Sequence, residues 1–325
     1  MNQLNSRAGC EASLQRIMAS VSRPYSLEGE YIQVTASVGY TLHPDDDSDA
    51  DALIRHADQA MYQAKQAGRN CIQAFDAAYD RNQRARHIQN LRIQEGLQRG
   101  EFTLYVQPQI DMHLQQVIGV EALARWEHPE HGVLTPKDFL PLIEGTELEV
   151  PFGQWAVRCA LETIGKFQNA GLKMSVAVNI SPNHLQHPSF TTWMQELLST
   201  YPKTSAQLLD IEITESAALY DLEHVTNVLH ALRALELRVS LDDFGTGYSS
   251  LTYLRSLPLD CLKIDRSFVR DMLTDQADFA IVHGVVRLAH SFGYKVIAEG
   301  VENDAQCAAL KSMGCNLVQG YCFAQ

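Results

Sequence analysis

Apolar and polar residues follow two different patterns along this chain, and the change comes near Phe102. From Phe102 onward, short apolar runs alternate with longer segments whose apolar residues recur at helical spacing. The strand-like runs are FTLYVQPQI, QVIGVEALARW, KMSVAVNIS, LLDIEITES, RVSLDDFG, CLKIDRSF, KVIAEGVE and NLVQGYCF. Most are separated by segments long enough for a helix, so the pattern predicts an eight-stranded α/β fold.

The first two of these strands are joined by only DMHLQ, whereas a parallel crossover needs a dozen or more residues. We therefore expect this pair to be antiparallel. The other strands suit a parallel sheet covered by helices, which forms either a TIM-type (β/α)8 barrel or a doubly wound open sheet. We favour the barrel because nearly every strand ends in a polar residue, and a barrel collects its functional groups from many strand ends.

Upstream of Phe102 the pattern predicts a smaller α/β unit. YIQVTASVGYTL is rich in β-branched and aromatic residues and predicts a strand. SDADALIRHADQAMYQAKQAGRN predicts an amphipathic helix that Ser48 or Asp49 begins and Gly68 ends. Its expected apolar face comprises Leu53, Ile54, Ala57, Ala60, Met61 and Ala64.

A charged segment, DAAYDRNQRARHIQNLRIQEGLQRG, connects the two patterns. It predicts a helix with Ile88, Leu91 and Leu97 on one stripe, which we interpret as a linker. The expected domains are therefore a small α/β unit at 1–77, a linker helix at 78–101 and the barrel at 102–325.

Length and composition agree with a barrel plus a smaller unit, since 325 residues with 46% hydrophobic content can bury a large core. The net charge of -13 argues against binding to nucleic acid or to an anionic membrane. A phosphate-bearing ligand is compatible with this charge, because metal ions can bridge acidic residues to phosphates.

Seven scattered cysteines without a C-x-x-C pair predict reduced thiols in a cytoplasmic protein, not a disulfide framework or a zinc site. No apolar run reaches the roughly 18 residues of a transmembrane helix, and the N-terminus lacks the segments of a signal peptide. We therefore expect no membrane contact by this chain.

The polar strand ends would meet at one rim of a barrel, where active sites of this architecture lie. They are Glu121, Asn179, Glu212, Asp242, Asp243, Lys263, Asp265, Glu299, Glu302 and Gln319. A single strand-end acid is more often a helix cap or a solvated side chain, but seven strands ending this way make coincidence a poor explanation. Converging carboxylates repel one another, so we expect bound magnesium or manganese, which carboxylate and amide oxygens suit.

An acid-rich site with one lysine suits metal-assisted hydrolysis of a phosphoester. Lys263 is placed to hold a water molecule or to offset developing negative charge, and Arg125 suits a phosphate or a guanine. Adjacent side chains on a strand point to opposite faces, so Asp242 and Asp243 can serve one site only if the chain turns there. Gly245 and Gly247 predict a mobile loop after them.

The second domain resembles an EAL domain, the cyclic di-GMP phosphodiesterase family. The matching segments are YVQPQI, EALARW, VNIS, IEITES, LDDFGTGYSSL, LKIDRSF, IAEGVE and QGY, in the family's order and spacing. The resemblance implies a TIM-type barrel with one antiparallel strand. It also implies two Mg²⁺ or Mn²⁺ ions, hydrolysis of cyclic di-GMP to linear pGpG, and a homodimer through the barrel.

The resemblance also implies residue roles, each carried over by its position in a motif. Glu121, Asn179, Glu212 and Asp242 resemble the primary metal ligands, and Asp243 the acid of a second metal site. Lys263 and Glu299 resemble the pair that positions or activates the attacking water, which makes Glu121, Lys263 and Glu299 the expected catalytic residues and Glu299 a further metal ligand. Which group is the general base stays open. Gln107, Arg125, Asp265, Glu302 and Gln319 resemble substrate contacts, and Glu215 resembles the glutamate that anchors the loop after the two aspartates.

Two features depart from the family pattern. Ala124 replaces a leucine in EALARW, which should not abolish the chemistry, and the chain stops at CFAQ, where the family continues into a closing helix. The first unit resembles the C-terminal part of a GGDEF (diguanylate cyclase) domain through VTASVGYTL and ADQAMYQAKQAGRN. The GGDEF signature itself is absent, so we expect no cyclase activity and a fragment of a tandem protein.

Two other functions stay open at this point. A non-catalytic cyclic di-GMP receptor would share the fold, although degenerate receptors typically lose metal ligands or the loop, and this chain keeps both. An unrelated acid-lined barrel, such as an enolase-type lyase, would explain a metal site but not the full set of matching segments.

Overall fold

The computed structural model describes residues 7–27, 30–245 and 254–323, without the side chains of residues 82–84 and 220. It divides into two compact units, residues 1–89 and residues 90–325. The division falls within the helix Ala77–Arg99, which spans most of the linker segment predicted from the sequence. The domain boundaries at 77 and 101 stay a prediction.

Within residues 7–27 and 30–76, the first unit contains two helices and four short strands before the shared helix. They are α1 (Arg7–Val21), β1 (Tyr25–Leu27), β2 (Glu30–Ile32), β3 (Val38–Tyr40), α2 (Ala50–Gln66), β4 (Ile72–Ala74) and α3 (Ala77–Arg99). The single strand predicted for YIQVTASVGYTL is wrong, because this segment changes its pairing partner. β2 pairs antiparallel with β1, whereas β3 pairs in parallel with β4.

Helix α2 begins as predicted, with the Asp49 carboxylate accepting a hydrogen bond from the Ala52 N–H at 2.7 Å. Its predicted apolar face is only partly buried. Ala60 and Ala64 are fully buried, but Ile54 is exposed. In α3 the predicted stripe is also wrong in part, since Ile88 and Leu91 are exposed and Ile93 is the fully buried residue.

The described residues of the second unit, 90–245 and 254–323, form a closed barrel of eight strands with one additional strand. They are β5 (Phe102–Asp111), β6 (Gln116–His128), β7 (Gly132–Leu134), β8 (Ser175–Asn179), β9 (Leu209–Thr214), β10 (Arg238–Phe244), β11 (Cys261–Ile264), β12 (Lys295–Ala298) and β13 (Leu317–Val318). The order around the barrel is β5-β13-β12-β11-β10-β9-β8-β6, and β5 pairs with β6 to close it. β7 extends β6 outside this ring.

Strand β5 runs antiparallel to both of its neighbours, β6 and β13, and the other barrel strands are parallel. The predicted antiparallel first pair and the predicted barrel are therefore confirmed. The start of β5 lies beside the end of β6, with Phe102 opposite Trp126. Its end, Asp111, lies beside the starts of β6 and β13.

Helices cover the outside of the barrel. They are α4 (Pro136–Ile143), α5 (Glu149–Asn169), α6 (Pro182–Leu185), α7 (Phe190–Thr200), α8 (Glu215–Tyr220), α9 (Leu222–Ala234), α10 (Arg266–Asp271), α11 (Gln276–Phe292) and α12 (Asp304–Met313), with a 3₁₀ turn at Ala206–Leu208. Apolar strand residues such as Val176, Ile211 and Leu262 are fully buried in one continuous cluster with helix residues such as Leu161. The alternate strand positions carry polar groups into the barrel.

A smaller buried cluster joins the end of α3 to the rim of the barrel. Ile93 packs with Phe102, Trp126 and Phe139. The Glu101 carboxylate accepts hydrogen bonds from Arg92 at 2.6 Å and from the Trp126 indole at 2.9 Å. Within residues 7–27, 30–245 and 254–323, no helix combines the length and apolar character that crossing a membrane requires.

His184 predicts a pH-dependent stability of the barrel. Its ring is 1% exposed, packs against Phe190 and Trp193, and has no hydrogen-bond partner among the described residues. Burial lowers the pKa of His184 to about 4, below the usual value near 6.5. Between these values the unfolded chain binds the proton and the folded chain does not, so stability falls as the pH falls.

We expect His184 to account for a loss of about 2 kcal/mol in unfolding free energy between pH 7 and pH 5. Urea unfolding followed by tryptophan fluorescence measures it, because all three tryptophans lie in the second unit. The comparison is with His184→Leu, whose unfolding free energy should change less between the two pH values. Equal pH dependence of the two proteins would contradict this reading of His184.

Candidate active site

Lys263 lies at the centre of a group of four carboxylates inside the barrel. Its side chain is fully buried on β11. The Nζ atom lies 2.6 Å from Glu299 Oε1, 2.9 Å from Glu212 Oε2, 3.3 Å from Glu121 Oε2 and 3.3 Å from Asp242 Oδ1. One ammonium cannot neutralise four carboxylates, so the group keeps an excess of negative charge or holds protons.

Strand alternation explains why these side chains meet. Glu212 on β9 and Lys263 on β11 occupy polar positions between apolar ones, and the apolar ones face the helices. Neighbouring strands bring the polar positions level, since Glu212 is paired in register with Asn179 of β8 and with Ser240 of β10. Asp242 follows two residues later on the same face as Ser240.

The chain turns at the two aspartates, as the sequence required. Asp243 has a φ of 55°, and the register between β10 and β11 shifts between Leu241 and Phe244. This irregularity lets consecutive residues face one site. Glu215 lies at the start of α8, and its Oε2 accepts a hydrogen bond from the Gly245 N–H at 3.1 Å. The mobile loop predicted from Gly247 lies outside the described residues.

Two sets of carboxylates among the described residues are close enough to hold a metal ion. One set is Glu121, Glu212 and Asp242, and the other is Asp242, Asp243 and Glu299. In each set the ligand oxygens lie within 4.8 Å of one another, and Asp242 belongs to both. Asn179 joins the first set through a hydrogen bond from its Nδ2 to Glu121 Oε1 at 2.8 Å.

The carboxylate pKa values in this group reflect burial and mutual repulsion. Burial and then the charge of Asp242 raise the pKa of Asp243 to about 6. Burial also raises the pKa of Glu299 to about 8, against the opposing attraction of Lys263. The pKa of Glu212 rises well above its usual value, mainly by burial, and its Oε1 has no hydrogen-bond partner within the described chain.

Lys263 and Glu121 keep their charges. Burial alone would lower the pKa of Lys263, but the surrounding carboxylates raise it well above its usual value. Burial would raise the pKa of Glu121, but Lys263 and hydrogen bonds from Gln319 and Asn179 outweigh that effect and lower it. The centre is therefore a cation surrounded by acidic oxygens of unequal basicity.

Four of the five predicted substrate contacts line one cleft, and Arg125 is not among its lining residues. Gln319 connects Gln107 to the acidic group, since its Nε2 donates to Glu121 Oε2 at 2.5 Å and to Gln107 Oε1 at 2.9 Å. Asp265 and Glu302 line this cleft of about 510 Å³ beside the acidic group. Arg125 is apart from the acidic group, with its guanidinium 5.5 Å from the centre of the Tyr105 ring.

Several further residues in and beside this region were not predicted from the sequence. Arg266, Ser267, Arg270 and Tyr321 line the same cleft as Glu299. Gln109 is buried and contacts Gln319. The alternation of β5 would have found Gln109, because it lies two residues after Gln107 and therefore on the same face.

The comparisons with known proteins agree with this geometry. Residues 90–325 match the family model described as "EAL domain". The chain belongs to the EAL domain family. Residues 2–71 match the model "Diguanylate cyclase, GGDEF domain", so the resemblance drawn from the sequence is confirmed at both ends of the chain.

Several relatives have names that include cyclic di-GMP phosphodiesterase. The chain is 37% identical over 309 residues to "Bifunctional diguanylate cyclase/cyclic di-GMP phosphodiesterase MucR" of Pseudomonas aeruginosa, which covers 94% of this chain and 45% of that protein. It is 34% identical over 322 residues to "Cyclic di-GMP phosphodiesterase PdeR" of Escherichia coli, covering 98% and 48%. The chain therefore spans slightly less than half the length of these relatives.

The EAL barrel also matches solved structures. One, "PaMucR Phosphodiesterase, c-di-GMP complex", shares 38% identity and a TM-score of 0.70, covering 73% of this chain and 96% of that chain. Another, the "FimX EAL domain from Pseudomonas aeruginosa bound to c-di-GMP", shares 25% identity and a TM-score of 0.65, covering 72% of this chain and 93% of that one.

Proposed function

We propose that this EAL domain is a metal-dependent phosphodiesterase that hydrolyses cyclic di-GMP to linear pGpG. The observation that carries the proposal is the group of four carboxylates around the buried Lys263, with two ion-sized sets of acidic oxygens sharing Asp242. The names of the MucR and PdeR relatives support the substrate.

The residues present fit one or two divalent ions. Glu212 Oε1 is buried without a hydrogen-bond partner in the described chain, as expected of an oxygen atom that would coordinate an ion. The donors are carboxylate and amide oxygens, which Mg²⁺ and Mn²⁺ prefer. Glu121, Asn179, Glu212 and Asp242 would hold one ion, and Asp242, Asp243 and Glu299 the other. When bound, such ions polarise a phosphoryl oxygen and make a water molecule more acidic.

Lys263 and Glu299 would have different roles toward the attacking water. Because the pKa of Lys263 is raised, its Nζ stays protonated and can only donate hydrogen bonds or offset negative charge. Glu299 is the member of this pair with an acceptor oxygen, and ions held by Asp242, Asp243 and Glu299 would favour its ionised form, which can accept a proton. We therefore assign Glu299 as the general base and Lys263 as the group that orients the water and stabilises developing charge.

The cleft beside the acidic group supplies the contacts for the rest of the substrate. Gln107, Asp265, Glu302 and Gln319 line it, and polar side chains of this kind suit guanine edges and ribose hydroxyls. Arg125 would contribute a charged donor for phosphate or guanine from above Tyr105. Glu215 would hold the start of the loop that follows the two aspartates.

Incubation of the purified chain with cyclic di-GMP and Mg²⁺ or Mn²⁺, followed by chromatography, tests this function. We expect pGpG to form, and we expect a chelator to stop its formation. The second candidate function is the non-catalytic cyclic di-GMP receptor that the sequence left open. Binding of cyclic di-GMP without any pGpG would favour the receptor and reject the enzyme.

Three further expectations accompany this proposal. A homodimer through the barrel is measurable as molar mass by light scattering. A cytoplasmic location stays a prediction from the reduced cysteines. The first unit, which matches the GGDEF model, would serve as a scaffold or an interface.

A further inference from the structure

Gln109 lies one layer below the acidic group, on the same face of β5 as Gln107. Its side chain is 4% exposed, and it faces Gly119 across the β5–β6 pair. A Cβ atom at position 119 would lie 2.2 Å from Ser175 Oγ and 3.1 Å from Gln109 Oε1. Glycine at this position therefore leaves the space that the Gln109 amide occupies.

Gln109 belongs to a chain of amide hydrogen bonds that ends at Glu121. Gln109 Nε2 donates to Gln319 Oε1 at 3.3 Å. Gln319 Nε2 in turn donates to Glu121 Oε2 at 2.5 Å and to Gln107 Oε1 at 2.9 Å. The carbonyl oxygen and both amide hydrogens of Gln319 are thus used.

The orientation of the Gln319 amide determines whether the Glu121 carboxylate faces an N–H donor or a carbonyl oxygen. A rotation by half a turn would exchange its oxygen and nitrogen and present a carbonyl oxygen to the Glu121 carboxylate. The two oxygens would then repel each other. The donor of Gln109 favours the observed orientation, because it supplies a partner for the oxygen only when the oxygen points away from Glu121.

We propose that Gln109 is a positioning residue that orients the Gln319 amide so that it donates to Glu121. Gln109 touches neither the acidic group nor the cleft-lining residues other than Gln319 in the contacts of the described chain. Its part in ion binding and turnover rests on the proposed function. The role of Gln109 in orienting the Gln319 amide does not depend on the proposed function. An experiment can therefore test the orientation of Gln319 separately from ion binding and turnover.

Two substitutions distinguish orientation from packing. Gln109→Met keeps the size of the side chain but removes the donor. Gln109→Glu keeps the shape but presents an acceptor to Gln319 Oε1, which turns the Gln319 amide the wrong way. We therefore expect Gln109→Glu to have the larger effect. If Gln109 only filled space, Gln109→Glu would have the smaller effect, because glutamate is closer in shape to glutamine than methionine is.

The first measurement is nuclear magnetic resonance of the Gln319 side-chain amide, assigned with Gln319→Met. A proton donated to a buried carboxylate at short distance should resonate downfield of ordinary glutamine amides. We expect this signal in the unmodified chain, a smaller shift in Gln109→Met, and its loss in Gln109→Glu. An unchanged signal in both variants would overturn the proposal whether or not the chain hydrolyses cyclic di-GMP.

The second measurement is the affinity for Mn²⁺ by calorimetry, together with kcat and KM for cyclic di-GMP. Gln109→Met should weaken ion binding about fivefold, the equivalent of one hydrogen bond, and Gln109→Glu should weaken it further. In the Gln319→Met background, Gln109→Met should have no added effect, because the proposed coupling runs through Gln319. An equal loss in both backgrounds would overturn the coupling.

The matched control for stability is Val228→Ala on the outer helix α9. It removes buried apolar volume from the core without touching the amide chain, so it should lower the unfolding temperature and leave ion affinity unchanged. If the unmodified chain bound no ion and formed no pGpG, the proposed function would fail, and the resonance measurement would still decide the orientation of Gln319.

Discussion

Glu121→Ala is expected to abolish metal-dependent formation of pGpG, with turnover falling at least about a thousandfold. The substitution removes a carboxylate that Lys263, Asn179 and Gln319 all contact. It also removes one of three acids from the first ion-sized set. The measurement is the rate of pGpG formation at saturating Mg²⁺, together with Mn²⁺ binding by calorimetry.

The matched control is Glu127→Ala, the same substitution six residues later on the same strand. Glu127 is exposed and belongs to neither set of acids. It should retain the turnover of the unmodified chain. If Glu121→Ala kept full activity, the assignment of the metal ligands would be wrong, even if the chain were a phosphodiesterase.

Lys263→Met is expected to lower the unfolding free energy by about 3–5 kcal/mol in the absence of divalent ions. Methionine fits the space of the aliphatic chain but leaves four buried or partly buried carboxylates without their shared cation. We further expect added Mg²⁺ to stabilise this variant more than it stabilises the unmodified chain, because the ion would replace the missing charge. Turnover should be lost in either case.

Chemical denaturation with and without Mg²⁺ measures both effects, and Lys295→Met provides the control. Lys295 begins the neighbouring strand β12 and is exposed, so its substitution should change stability little. Equal stability of Lys263→Met and Lys295→Met without ions would contradict the electrostatic account of the centre.

The barrel could be predicted because two local signals agreed. The short DMHLQ connection required an antiparallel β5–β6 pair, and polar residues recurred at the ends of the following strands. The small unit was harder, because strand pairing is not visible in one segment of sequence. YIQVTASVGYTL has uniform strand character, yet its two halves pair with different partners.

The acidic group was foreseeable as a set, but its internal contacts were not. Strand ends predict which side chains share a rim, and they do not predict that one ammonium would contact four carboxylates. Gln109 was missed although strand alternation places it beside Gln107. Strand ends do not indicate a residue such as Gln109, which lies deeper in the barrel and contacts the acidic group only through Gln319.

The direction of β5 determines where the barrel is joined to whatever precedes it. In a barrel whose strands are all parallel, the chain would enter at the end opposite the active site. Here Phe102 lies beside Trp126, near the end of β6, and the last turns of α3 pack there through Ile93. The covalent attachment and the cleft lined by Glu299 and Gln319 therefore share one rim.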